Sequence, residues 1–344
     1  MSDWSPPPAT TALDILPTLQ EASRIIPPDT VYLHSKKVTS DDDDDDDAPI
    51  ALQAVAEEHD PWVPMLPSLN YSLYGRRSRI ARFALYVFID SLVLPVGLYF
   101  LLWYGFGPGN PLYHPLSAST ALTIVTAVIG GTSIWELLLR AWKLAKRDSD
   151  CRPVGSSWWH FDWFEWWFAF TWILIITEVS VAFVPDEPDR RMLAMPLPTV
   201  LAVFGTSCII IDVLRYFSVP TPIRVSSMPR GVQLRPGIYP LVEDICSVDG
   251  SGTTEFRQNL NRRYAASHIF RVMLRRLSLF WGIGAECCAA VTMGLIFGLD
   301  DDLEDYAFAI GWALPFIWAG PWAMATIYYV KRELREETRL WGLT

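Results

Sequence analysis

The chain has 344 residues, 51% of them hydrophobic and 13% aromatic, with 28 Lys and Arg against 38 Asp and Glu and a formal charge of -10. The acidity is concentrated in the run Asp41–Asp47 and in a second stretch, Asp300–Asp305, so it gives no reason to expect a nucleic-acid partner. The apolar content falls almost entirely after about residue 80, in blocks near the ~20 residues a helix needs to cross a bilayer, which excludes an ordinary water-soluble globular chain.

Residues 1–74 are rich in Pro, Ser and Asp and lack any sustained periodicity, which predicts a disordered tail. Its Asp run reads as a solvated spacer or as a surface for a basic protein partner. No short apolar signal segment precedes the first span, so that span is expected to direct insertion itself. The spans follow as Phe83–Tyr104, Ser119–Leu139, Phe164–Val184, Pro196–Phe217, Leu279–Leu299 and Tyr306–Val330. The expected fold class is therefore all-α, a polytopic transmembrane helix bundle. Residues 75–217 carry spans one to four, 218–278 form a helical loop subdomain, and 279–344 carry spans five and six with a C-terminal tail.

Basic residues crowd alternate connections. Arg76, Arg77, Arg79 and Arg82 precede the first span, Arg140, Lys143, Lys146, Arg147 and Arg152 follow the second, and Lys331, Arg332, Arg335 and Arg339 follow the last. The long connection from 218 to 278 is also basic, whereas the fifth, Asp300–Asp305, is acidic and the third holds only Arg190 and Arg191. The positive-inside rule then predicts cytosolic termini and a cytosolic subdomain, in an endomembrane such as the ER or in the plasma membrane. No Cys falls in a predicted outer loop, so no disulfide is expected.

Within the subdomain, Ile238–Val248 reads as an amphipathic helix, Asp249-Gly250-Ser251-Gly252 breaks it, and a second helix runs from about Thr254 to Ala266 with Phe256, Leu260 and Tyr264 on one face and Arg257 elsewhere. Ser267 caps a third helix that continues into the fifth span and carries Arg271, Arg275 and Arg276, candidate contacts for the headgroups of membrane lipids. The turn has part of a calcium-loop pattern, but Ser247 and Gln258 stand where that pattern needs Asp and Glu. No metal site and no cofactor is expected.

The blocks PGIYPLVEDICSVDG (236–250) and FRQNLNRRYAASHIFRVMLRRLSLFWG (256–282) resemble fungal multi-pass integral membrane proteins of unassigned function. The resemblance implies a shared fold and supplies no activity. FWGIGAE, Phe280–Glu286, lacks the His of the similar motif in wax-synthase-type acyltransferases, which weighs against that chemistry.

Five spans carry a carboxylate. An ionised acid at mid-bilayer costs about 2.5–3.5 kcal/mol, so each needs a partner or a cavity. Glu136 has Arg140 at i+4 and Asp212 has Arg215 at i+3, which predicts ion pairs within each helix. Asp90, Glu286 and Glu178 have no Lys or Arg one turn away and are the candidate proton, cation or acid-catalytic site, with Asp90 and Glu286 at one depth. The aromatic run Ser156–Trp172 reads as an interfacial girdle, or as a pocket for a flat or isoprenoid-like molecule built from His160, Trp163, Trp166 and Trp167. The sequence contains no complete catalytic motif, so whether the chain is an enzyme stays open. Handling or transport of a small molecule or ion leads, against a membrane enzyme acting on a lipid and a non-catalytic scaffold.

Overall fold

The first span, α1 (Arg77–Phe106), contains Pro95, which has no N–H to offer the carbonyl one turn before it. The helix accommodates this by widening to a π turn over Ile89–Val93, the turn that holds Asp90. The computed structural model describes residues 66–71, 74–113, 115–156 and 161–342. The Asp41–Asp47 run lies outside them.

Helix α2 (Ala118–Ala145) starts where the Ser117 hydroxyl accepts the Thr120 N–H, and α3 (Trp163–Ala182) where the Asp162 carboxylate accepts that of Glu165. A short helix, α4 (Arg190–Leu193), leads into α5 (Pro196–Tyr216), which places Pro at its first position, where a missing N–H breaks no bond. The subdomain follows as α6 (Ile238–Val248) and α7 (Thr253–Ala266). Ser267 then caps α8 (His268–Gly298), and α9 (Glu304–Trp341) completes the chain. Among the described residues no strand forms; Pro220–Gln233 and Val225–Met228 are isolated bridges.

Six helices are long and apolar enough to cross a membrane: α1, α2, α3, α5, α8 and α9. Large apolar side chains lie on their outer surfaces, Ile173 being 62% and Ile317 66% exposed. In water such a surface would aggregate; in a bilayer it is the face the lipid covers. The most extensive helix packing among the described residues is that of α5 with α8. A Cβ on Gly205 would sit 2.8 Å from both the Gly282 carbonyl and the Glu286 Cγ, so only glycine permits this approach.

The subdomain has its own core of Tyr239, Phe256, Leu260, Phe270, Met273 and Leu274. Tyr71 packs its ring 4.9 Å from Phe256, and Asn70 donates to Glu255 at 3.1 Å. The tail expected to run unstructured to residue 74 is thus already anchored at Leu69, Asn70 and Tyr71. At the other end of the bundle Tyr99, Phe308 and Trp312 pack with Leu193. There Arg190 pairs with Glu304 and, at 2.6 Å, with Asp305, which explains how an arginine is tolerated in a connection otherwise poor in cations.

Candidate functional site

A deeply buried polar cluster lies where the subdomain meets α2 and α3. Having capped α3, Asp162 still has an oxygen free to accept from Arg140 at 2.5 Å and from Arg257 at 3.3 Å. Arg257 reaches on to Glu243 at 3.1 Å and Asp244 at 2.5 Å, and its Nε donates to the Cys151 carbonyl. Arg140 reaches Glu165 at 3.2 Å and pairs closely with Asp249. Asp244 also accepts from the Ser226 hydroxyl and from the Phe164 N–H. Asp162, Glu243, Asp244 and Arg257 are all 0% exposed.

Five carboxylates thus share two guanidiniums. Apart from the exposed Asp249, these charges have lost their hydration, and the pairs return that loss only where the guanidinium forks find carboxylate partners. The excess of acid still shows. Burial, and then the neighbouring Asp162, push Asp244 up to about 7 against the pull of Arg257. Burial also raises Asp249, with Arg140 pulling it back. One oxygen of Glu243 is buried with no hydrogen-bond partner among the described residues.

The intramembrane acids do not assemble. Glu178 of α3 accepts from Thr199 and Glu286 of α8 accepts from Thr206, both hydroxyls belonging to α5. Asp90 lies near Glu136, to which the Tyr86 hydroxyl is hydrogen-bonded. α1 packs mainly on α2 and α9, whereas α8 packs on α5, α9 and the subdomain, so Asp90 and Glu286 are not brought together to share a proton. The expected Asp212–Arg215 pair forms at 3.2 Å. The expected Glu136–Arg140 pair is replaced, because Arg140 turns away into the buried cluster.

Among the described tryptophans of the aromatic run, Trp166 and Trp167 face different surroundings. Trp166 is 61% exposed on the lipid-facing side and Trp167 meets Phe204 of α5 edge-on at 6.3 Å, while the backbone N–H of Trp163 donates to the Ser226 hydroxyl. His160 lies outside the described residues. Of the three arginines, Arg271 is spent on the C-terminus of α7, donating to the carbonyls of Tyr264 and Ala265 at 3.0 and 2.7 Å. Arg275 and Arg276 remain exposed, and Arg276 reaches the Tyr329 hydroxyl at 3.4 Å.

A groove of about 570 Å³ runs between α8 and α9, lined among others by Phe280, Ile283, Cys287, Val291, Trp318 and Trp322. Its floor depends on Gly284, where a Cβ would fall 2.6 Å from the Trp322 ring. Trp322 lies flat on Phe280, with centroids 4.4 Å apart and planes 7° apart, and donates its indole N–H to the Phe280 carbonyl. The wall is therefore fixed, and its lining is apolar.

Residues 53–341 match the family described as a domain of unknown function, DUF8766. The chain belongs to this family. The match takes in all six spans and the subdomain of this DUF8766 member. No curated protein matches the chain, and no solved structure does.

What sequence reading missed in this family member is the buried cluster. Arg257, read there as lying off the apolar face of its helix, is fully buried beside Phe256 and Leu260. Two signals were available. Asp162-Trp-Phe-Glu165 has the spacing of a capping box, and Glu243-Asp244 interrupts an otherwise apolar helix whose Tyr239 and Ser247, one turn away on either side of Glu243, are also buried.

Proposed function

We propose that this multi-pass membrane protein handles an apolar-tailed small molecule within the bilayer, held in the groove between α8 and α9. The groove carries the reading: it is open to the hydrocarbon, apolar in lining and fixed in shape by the Gly284–Trp322 contact. A proton or ion pathway has less support, since Glu178, Glu286 and Asp212 each have a separate partner and none lines the groove. The crowding of Arg and Lys supports a cytosolic subdomain, which puts the groove in the cytosolic leaflet.

The test is to purify the chain from membranes in mild detergent and identify retained molecules by native mass spectrometry. Cys287 is exposed and lines the groove, so Cys287→Trp should fill it without disturbing the core. A tailed molecule retained by the wild type and lost from Cys287→Trp is expected; equal retention by both, or none by either, overturns the reading. Recovery of a chemically altered molecule after incubation would make the protein a membrane enzyme.

A second reading, a non-catalytic scaffold, is favoured by the buried cluster, which fastens the subdomain to two spans through Arg140–Asp249 and Arg257–Asp162. For that role Cys287→Trp would be harmless and Arg257→Met would not. Labelling by an impermeant maleimide tests the orientation: Glu187→Cys should react from outside intact membranes and Gln258→Cys should not, and the reverse pattern overturns it.

A further inference from the structure

The groove has a distinctive end. Along α8 its lining residues Leu279 and Phe280 are each one turn beyond an exposed arginine, Arg275 and Arg276. Along α9 Trp322 lies two turns before Tyr329, whose hydroxyl accepts from Arg276 at 3.4 Å. From Leu279 to Val291 the groove extends about 18 Å at 1.5 Å per residue, a little over half the ~30 Å hydrocarbon thickness. That is the reach of one leaflet's acyl chain, starting where its headgroup would lie.

Resting on the groove reading above, we propose that the occupant is an anionic glycerophospholipid, with one acyl chain along α8 and α9 and its phosphate at Arg275, Arg276 and Tyr329. The chemistry of the lining decides the tail, and the two guanidiniums with a phenol decide the headgroup, since a forked cation and a hydroxyl donor suit phosphate oxygens. Glu333 also acts on Arg276, so the site keeps one opposing charge and discriminates by a moderate factor. Tyr329 packs with Val330 against the core of the subdomain. A phosphate held there touches the joint between groove and subdomain.

The experiment uses the full chain, purified and stripped of lipid in detergent, titrated with phosphatidylglycerol and with phosphatidylcholine of identical acyl chains and followed by native mass spectrometry. Wild type should prefer phosphatidylglycerol, and Arg275→Gln and Arg276→Gln should each reduce that preference roughly fivefold, the factor expected for one arginine near a lipid phosphate, while leaving phosphatidylcholine binding unchanged. Cys287→Trp should weaken both lipids. If the preference survives in the Arg275→Gln, Arg276→Gln double variant, or never existed, the headgroup inference is overturned while the groove reading stands. If Cys287→Trp binds both lipids like wild type, the groove reading falls too. Because Arg275 and Arg276 are exposed, these variants should fold, and equal thermal stability checks this.

Discussion

Each end of the bundle is tied by guanidiniums and carboxylates, yet the two ties differ in depth. Beneath the subdomain, Arg257 and its three partners are sealed from solvent, and five acids share two arginines. At the opposite end Arg190, Glu304 and Asp305 keep 19–22% of their side-chain surface, and Arg190 also lies over the Trp103 ring at 4.7 Å while the Tyr99 and Tyr104 hydroxyls bond Asp305. The difference teaches what each can do. A partly hydrated pair contributes little and tolerates loss, whereas a sealed cluster with excess acid is intolerant of losing a cation and sensitive to protons.

The largest effect should follow from removing the central cation. Arg257→Met strands Glu243 and Asp244 in a dry site and leaves Asp162 with Arg140 alone, a loss of about 3–5 kcal/mol. Hydrogen exchange in α6 and α7 should accelerate by roughly two to four orders of magnitude, with α8 and α9 unaffected beyond their subdomain ends. Unchanged protection would mean that the cluster is solvated and that the comparison between the two ends fails.

Protons give the next effect. Asp244 is raised from 3.8 to about 7, so between those values the docked subdomain binds more protons than the undocked one. Its stability should be greatest at the acidic end, fall as pH rises through this window and level off above about 7. Asp249, raised as well, acts in the same direction. The groups facing Asp244 are Asp162, Glu243, Arg257 and Ser226. Asp244→Asn removes the titrating carboxyl and should flatten the profile, measured as intrinsic-rate-corrected exchange between pH 5 and 8. A slope that persists in Asp244→Asn would reassign the proton to another member of the cluster.

The opposite end should respond weakly. Arg190→Gln loses two partly exposed pairs and a cation–π contact, about 1 kcal/mol together, and should lower the thermal midpoint slightly with no new pH dependence. A collapse as severe as that of Arg257→Met would show the two ends to be equivalent.

The spans were legible in the sequence because the bilayer imposes a length and a polarity on each of them; even Ile238–Val248 and the Ser267 cap could be read from local pattern. The cluster was not legible. Its members, from Arg140 to Arg257, are spread over more than a hundred residues and meet only through tertiary packing, and a positive-inside excess hides two buried arginines among exposed ones. Local spacing also misassigned Arg140 to Glu136, because a helical i+4 pair loses to a site offering three acids. The groove was foreshadowed only by its rim, Arg275 and Arg276.

The smallest effect is expected from the acids that sequence reading ranked first. Glu286 accepts from Thr206 across the α5–α8 contact, and a glutamine keeps a carbonyl oxygen in the same place while removing a charge that hydrocarbon disfavours. Asp90 lies in the widened turn of α1, where an asparagine retains the size and polarity of the side chain. If the protein handles a tailed molecule at the groove, Glu286→Gln and Asp90→Asn should leave lipid retention within about twofold of wild type, below the roughly fivefold expected for one arginine. A proton or cation relay requires the opposite outcome, since either substitution would remove a site that has to ionise. Loss of retention or of any measured flux in both variants would transfer the function from the groove back to the interior of the bundle.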